Sequence, residues 1–179
     1  MALLERAVAA DPIAKHPLYG LSMARMASGD TARAKRELMR AMEFHERDFV
    51  LNTHLGIAFM LEGNRQQAIA VLEKGMEMAP WFPPILAYLA ANYRYAGEHA
   101  KADALFDRLK AMKGEGADVA LGSYHALCSE FDLAADCFER AIEGRHVAVL
   151  HLAEFPLWKE FRETPRGRAL LAKMNLPHG

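Results

Sequence analysis

The sequence predicts an all-α protein, a helical solenoid of about four helix pairs with a C-terminal helical cap. Three recurring features carry that expectation. A Leu followed by a small residue returns as Leu21-Ser22, Leu55-Gly56, Leu89-Ala90 and Leu121-Gly122, the first three pairs 34 residues apart. Seven residues after each small one stands a turn signal, Gly29-Asp30, Gly63-Asn64, Gly97-Glu98 and Ser129-Glu130, and glycine accepts the left-handed backbone that ends a helix. Ala34, Ala68, Ala102 and Ala134 then share one column, followed four residues on by Leu38, Leu72, Phe106 and Phe138. A small residue at a fixed place lets two helices approach, and its large neighbour fills the layer between them.

In chain order, Ala2 to Pro12 is in register as the back half of a helix pair whose front half is absent, a partial repeat over about 1–14. Full repeats are expected over about 15–48, 49–82, 83–114 and 115–146, with helix pairs near 17–45, 49–78, 83–112 and 117–143. Pro12 and Pro80 mark two of the breaks, with Glu46 and Gly114 at the same place in the others. The last small position of each second helix is Ala41, Gly75 and Ala141, with Leu109 as the departure. The fourth repeat comes two residues early, and Lys113-Gly114-Glu115-Gly116 is the place for that deletion and for local flexibility. From about Val147 the period fails, so 147–179 is expected to cap the array. A short helix around Pro156-Leu157-Trp158 is followed by one that Thr164 caps, with Pro165 in its first turn and Leu170, Leu171 and Met174 on one face.

Small, large, turn, small, large, small at this period resembles the tetratricopeptide repeat (TPR), a helix–turn–helix unit that stacks into a right-handed solenoid. The likeness covers most of residues 2–146. The aromatic usual near the start of the first helix is missing, with Leu18, Asn52, Leu86 and Asp118 there. The terminal pattern, a Pro-aromatic helix and then a Pro-Arg helix ending in Met-x-Leu-Pro, resembles the C-terminal end of bacterial multidomain regulators in which such an array follows a winged-helix or nucleotide-cyclase domain.

Composition narrows the function. Lys and Arg number 22 against 23 Asp and Glu, so no strong field draws nucleic acid to the whole surface. Two cysteines make no disulfide framework, which fits a reducing cytoplasm. Charges interrupt every apolar stretch, so neither a membrane span nor a signal peptide is expected. Chemistry finds little footing. His125, Cys128 and Cys137 could converge from two helices, but each also fits a packing position, and no metal or cofactor is expected. Ser22, Ser28, Ser123 and Ser129 fall at small or capping positions, and no Gly-x-Ser-x-Gly elbow accompanies them. Glu73/Glu77 and Asp103/Asp107 belong to an exposed second-helix face, so no catalytic residue is named. Lys159, Arg162, Arg166, Arg168 and Lys173 give the C-terminal piece a positive excess over Glu160 and Glu163, expected as the polar outside of a cap, with nucleic acid or a neighbouring acidic domain as the alternative partner.

The TPR resemblance implies that the first helices line a concave groove. The groove residues it points to are His16, Tyr19, Met23, Met26, Thr53, Ile57, Met60, Ala91, Arg94 and Tyr95. One family mode clamps the carboxylate of a chaperone tail between Lys, Arg and Asn; here Tyr19, Met23, Thr53, Ile57, Ala87 and Ala91 stand in those places, so that clamp is absent. A groove rich in Met and Tyr suits an apolar or amphipathic segment of a protein or peptide partner. A neighbouring domain of the same protein, or a second copy forming a homo-oligomer, could equally fill it. The expected function is therefore a non-enzymatic interaction scaffold within a larger bacterial regulatory protein. The competing expectation is a regulatory domain of a nucleotide cyclase or other enzyme whose catalytic domain lies upstream.

Overall fold

The structure, a computed structural model, describes residues 1–11, 14–114 and 116–176. Two compact units divide it, Met1–Trp81 and Phe82–Gly179. The described residues are helical with connecting turns, and the four helix pairs that the repeat columns predict are present. The break expected at Pro12, Glu115 of the shortened junction and Pro177 at the expected end of the last helix lie outside the described residues.

In the first unit α1 (Ala2–Ala10) packs on α2 (Lys15–Ala27), which pairs with α3 (Thr31–Met42). Both α2 and α3 touch α4 (Phe49–Leu61), and α4 pairs with α5 (Arg65–Met78). Leu18, Leu38, Ala41, Leu51, Leu55, Phe59 and Ala68 form a buried cluster there, with Val8 of α1 packed against it. The small-residue column works by contact. A Cβ on Gly56 would stand 2.7 Å from Leu72 Cγ, so α4 and α5 meet at van der Waals distance only because that side chain is missing.

The second unit repeats the plan. Here α6 (Pro83–Tyr95) pairs with α7 (His99–Ala111), α8 (Ala117–Leu127) pairs with α9 (Phe131–Glu143), and α8 rests on α6 and α7. Gly122 stands where Gly56 does, 2.7 Å by the same measure from the Phe138 ring. Ala102 and Ala134 are buried, as are Ala34 and Ala68 in the first unit.

Each of these first helices ends in one motif. Gly29, Gly63, Gly97 and Ser129 have φ of +85°, +73°, +78° and +59°, and the next amide reaches back to the carbonyl five residues before it, as Asp30 N–H does to Arg25 O at 2.9 Å and Glu130 N–H to His125 O at 2.9 Å. At the three glycines a Cβ would meet nothing within 4 Å, so the backbone angle and not space selects the residue. Ser129 therefore carries the left-handed strain that glycine avoids. Ser129→Gly is expected to stabilise the second unit by about 1 kcal/mol, read as a rise in the midpoint of chemical denaturation; an unchanged or lower midpoint contradicts this account.

The C-terminal segment begins with 3-10 turns at Val147–Ala153 and Pro156–Trp158, continues as the short α10 (Lys159–Arg162) and ends in α11 (Pro165–Lys173). Thr164 caps α11, its Oγ1 accepting Gly167 N–H at 3.0 Å. Trp158 and Phe161 lay their rings 5.2 and 5.1 Å from that of Phe138 on α9. Leu170 and Leu171 are buried beside them, while Leu157 and Met174 are half-buried. The basic residues of this segment serve the same docking. Arg166 reaches Asp136 at 2.7 Å and Lys173 reaches Glu139 at 3.0 Å, both on α9. Arg162 donates to Phe155 O at 2.6 Å. The acidic partner that the positive excess suggested is thus, for Arg166 and Lys173, the neighbouring helix of the same unit.

Candidate interaction surface

The first helices of the first unit, α2 and α4, face each other through a polar seam. Tyr19 donates from its hydroxyl to Asp48 Oδ2 at 2.6 Å, and Lys15 Nζ lies 2.9 Å from the same oxygen. Asp48 Oδ1 meanwhile caps α4, accepting Val50 N–H and Leu51 N–H at 3.0 Å each. Burial pulls the Asp48 carboxyl upward, but these bonds from Tyr19, the Leu51 amide and Lys15 outweigh it and hold it below the ordinary carboxylate range. Burial, and then Asp48 itself, push the Tyr19 phenol well above its ordinary range. The tyrosine is fixed as a neutral donor.

Ser22 and His54 lie one step further along the seam. Ser22 Oγ donates to Tyr19 O at 2.9 Å and sits 2.8 Å from His54 Nδ1. A hydroxyl has one proton, so an Oγ that spends it on a carbonyl accepts from the imidazole N–H. That imidazole nitrogen is then no base toward serine, and Ser22 is wholly buried. The pair orients helices.

Of the groove residues inferred from sequence, this unit leaves Tyr19, Met23 and Met60 half-buried, and Met60 also packs on the core cluster. Met26, only 1% exposed, and Ile57 and Thr53 are buried. Thr53 turns its Oγ1 back to Phe49 O at 2.7 Å. These three present almost no side-chain surface in the present arrangement.

In the second unit Ala91 is buried, while Arg94 and Tyr95 reach solvent, Tyr95 at 49% exposure. Both are engaged. Arg94 Nη1 stands 2.8 Å from Glu130 and 3.3 Å from Tyr124 Oη, and Tyr95 donates to Leu127 O at 2.6 Å. Glu130 takes a second partner in His125 Nδ1 at 2.7 Å. Burial raises the Glu130 carboxyl, yet the bonds from His125 and Arg94 prevail and keep it below its ordinary range. Arg94, expected in the groove, already holds a carboxylate from this chain.

The thiols follow the same pattern. His125 lies edge-on to the Phe106 ring at 5.5 Å, and Cys137 Sγ accepts from Arg140 at 3.2 Å. Burial pushes both thiols, Cys128 and Cys137, upward, which lowers the thiolate fraction a nucleophile or metal ligand requires. Among the described residues no three His, Cys, Asp or Glu side chains are grouped so as to hold a metal ion. None of the described helices is long and apolar enough to cross a membrane.

Among solved structures, a thermophilic TPR protein of Thermus thermophilus superposes with a TM-score of 0.63 over 83% of this chain and 88% of that one, at 20% sequence identity. The likeness shows the fold, an all-α TPR-like helical solenoid. No protein-family model and no curated protein matches the sequence.

Proposed function

We propose that this chain is a protein-interaction scaffold with no active site of its own. Its first helices take apolar or amphipathic segments of a protein partner or of a neighbouring domain, the first unit through Tyr19, Met23 and Met60 and the second unit through Tyr95. The observation that carries the reading is how the reactive side chains are spent. Ser22 and His54 bind each other across two helices, His125 binds Glu130 at the turn that follows its helix, and Cys137 binds Arg140 within α9. Among what the first helices still offer to solvent are half-buried Tyr19, Met23 and Met60 and exposed Tyr95, side chains that adapt to apolar partners at low entropic cost. The terminal Pro-Arg pattern supports placing the scaffold in a larger cytoplasmic regulatory protein.

The test is affinity capture on the full chain, followed by titration of each captured protein in purified form. Because Arg94 is already neutralised by Glu130, apolar contact must supply the affinity, and binding should change little between low and moderate salt. Met23→Glu and Tyr95→Glu each place a carboxylate against that contact. Affinity is expected to fall on the order of tenfold or more with the helical circular dichroism unchanged. A partner held equally well by both variants would sink the first-helix reading.

A further inference from the structure

An apolar opening in the first unit lies away from its first helices, between the second helices α3 and α5. Leu55 and Phe59 of α4 form its floor, Met39, Met42, Ala70 and Val71 its walls, and Gln67 and Lys74 its polar edge, around a volume of about 400 Å³ open to solvent. Met39 is 51% exposed although it faces this trough. Lys35 already lies over the Phe59 ring, 5.3 Å from its centroid, and is neutralised by Glu62.

Charge says what would cover the remainder. Helix α3 carries Arg33, Lys35, Arg36 and Arg40 against the single carboxylate Glu37, which Arg25 and Arg33 engage. Arg36 precedes Met39 by three residues and so shares its side of the helix, and Arg40 adjoins it. Among the described residues Arg36, Arg40 and Lys74 make no ion pair, whereas Lys15, Arg25, Arg33 and Lys35 of the same unit all do. Glu43 and Glu77 stand on the same outer face, and Glu73 has a partner already. Lys74 at the edge of the trough, with Arg36 and Arg40 on α3, leaves three unpaired cations against Glu43 and Glu77.

We propose that the α3–α5 trough docks an acidic amphipathic helix of a protein partner, seating one or two large apolar side chains on Leu55 and Phe59 and setting carboxylates beside Arg36, Arg40 and Lys74. A helical backbone offers no free edge to a strand, so β-addition has nothing to pair with here. A small amphiphile needs most of its surface enclosed, and an open trough does not provide that. Two methionines on one wall suit a helix whose apolar residues vary. This surface lies on the second helices, so it goes beyond the first-helix reading, and either can fail while the other stands.

The probe is a fluorescein-labelled amphipathic helix of about 18 residues with Leu along one stripe and Glu on both flanks, titrated into the full chain by anisotropy. A second peptide carries Lys for every Glu. The acidic peptide should bind on the order of tenfold or more tightly than the basic one, and the difference should shrink as salt rises. Lys74→Glu should weaken it by a similar factor. Ala70→Trp, at an exposed position, should fill the trough and remove binding while the chain keeps its helical signal; Met23→Glu should leave it unchanged. The proposal is overturned if the acidic peptide does not bind, if both peptides bind alike, or if Ala70→Trp and Lys74→Glu bind as the parent does.

Discussion

Deleting the chain from Pro156 onward is expected to leave an aggregating protein, or one whose second unit melts lower by more than roughly 10 °C. The final second helix of the array, α9, has no following pair to cover its outer edge, and Phe138, wholly buried, owes that burial in part to Trp158 and Phe161. Trp158, Phe161, Leu170 and Leu171 are all buried, and the helix that carries the two leucines packs on α9. At about 1.5–3 kcal/mol for each large side chain removed from water, their combined loss is comparable to the roughly 5–15 kcal/mol that holds an ordinary domain together. The ion pairs of Arg166 and Lys173 with α9 add little, because their side chains are 40% and 44% exposed and solvent screens such pairs. Phe161→Ala is the finer probe, expected to cost about 3–5 kcal/mol by leaving a cavity against Phe138. A truncated chain as soluble and heat-resistant as the parent, together with a silent Phe161→Ala, would show that the segment is an appendage.

The repeat was legible because close packing writes itself into composition. Where α4 meets α5 and α8 meets α9, only the absence of a side chain at Gly56 and Gly122 admits Leu72 and Phe138, and that requirement returns at a fixed spacing. The turns were legible for a similar reason, since a positive φ selects glycine whatever surrounds it. The interaction surface was harder to read. Spacing puts Met26, Thr53 and Ile57 on the first helices, but how much of each remains in water depends on what neighbouring side chains cover. Thr53 satisfies its hydroxyl on its own helix, which no pattern announces. The partner of Arg94 is likewise hidden, because Glu130 sits at the turn of the next pair and meets it only once the helices are stacked. The trough beside Met39 is hidden too, because Ala70 and Val71, which help to line it, stand outside the repeat columns.

A severe single substitution is also expected at a position that no repeat column or turn signal marks. Gly167 lies in the first turn of α11, a place where replacing glycine with alanine ordinarily gains up to about 1 kcal/mol. Here a Cβ would stand 2.1 Å from the carbonyl oxygen of Phe161, 2.9 Å from its carbon and 3.0 Å from Arg162 Cα. All three are backbone atoms, so no rotamer change relieves the overlap, and α10 must move away from α11. That movement also disturbs the Thr164 cap, which bonds to the Gly167 amide, and the seat of Phe161 against Phe138. Gly167→Ala is therefore expected to reverse the usual sign and destabilise the second unit by several kcal/mol, on the scale of overpacked cores. Trp158 reports it. That indole is 3% exposed, whereas Trp81, at 62%, is already in water, so in a Trp81→Phe background the emission should shift to longer wavelength as the cap loosens. Gly20→Ala is the control, since its new Cβ would meet only the end of the Leu4 side chain at 3.3 Å. A Gly167→Ala protein that melts at or above the parent temperature with Trp158 emission unmoved would mean that the α10–α11 approach is looser than this contact requires.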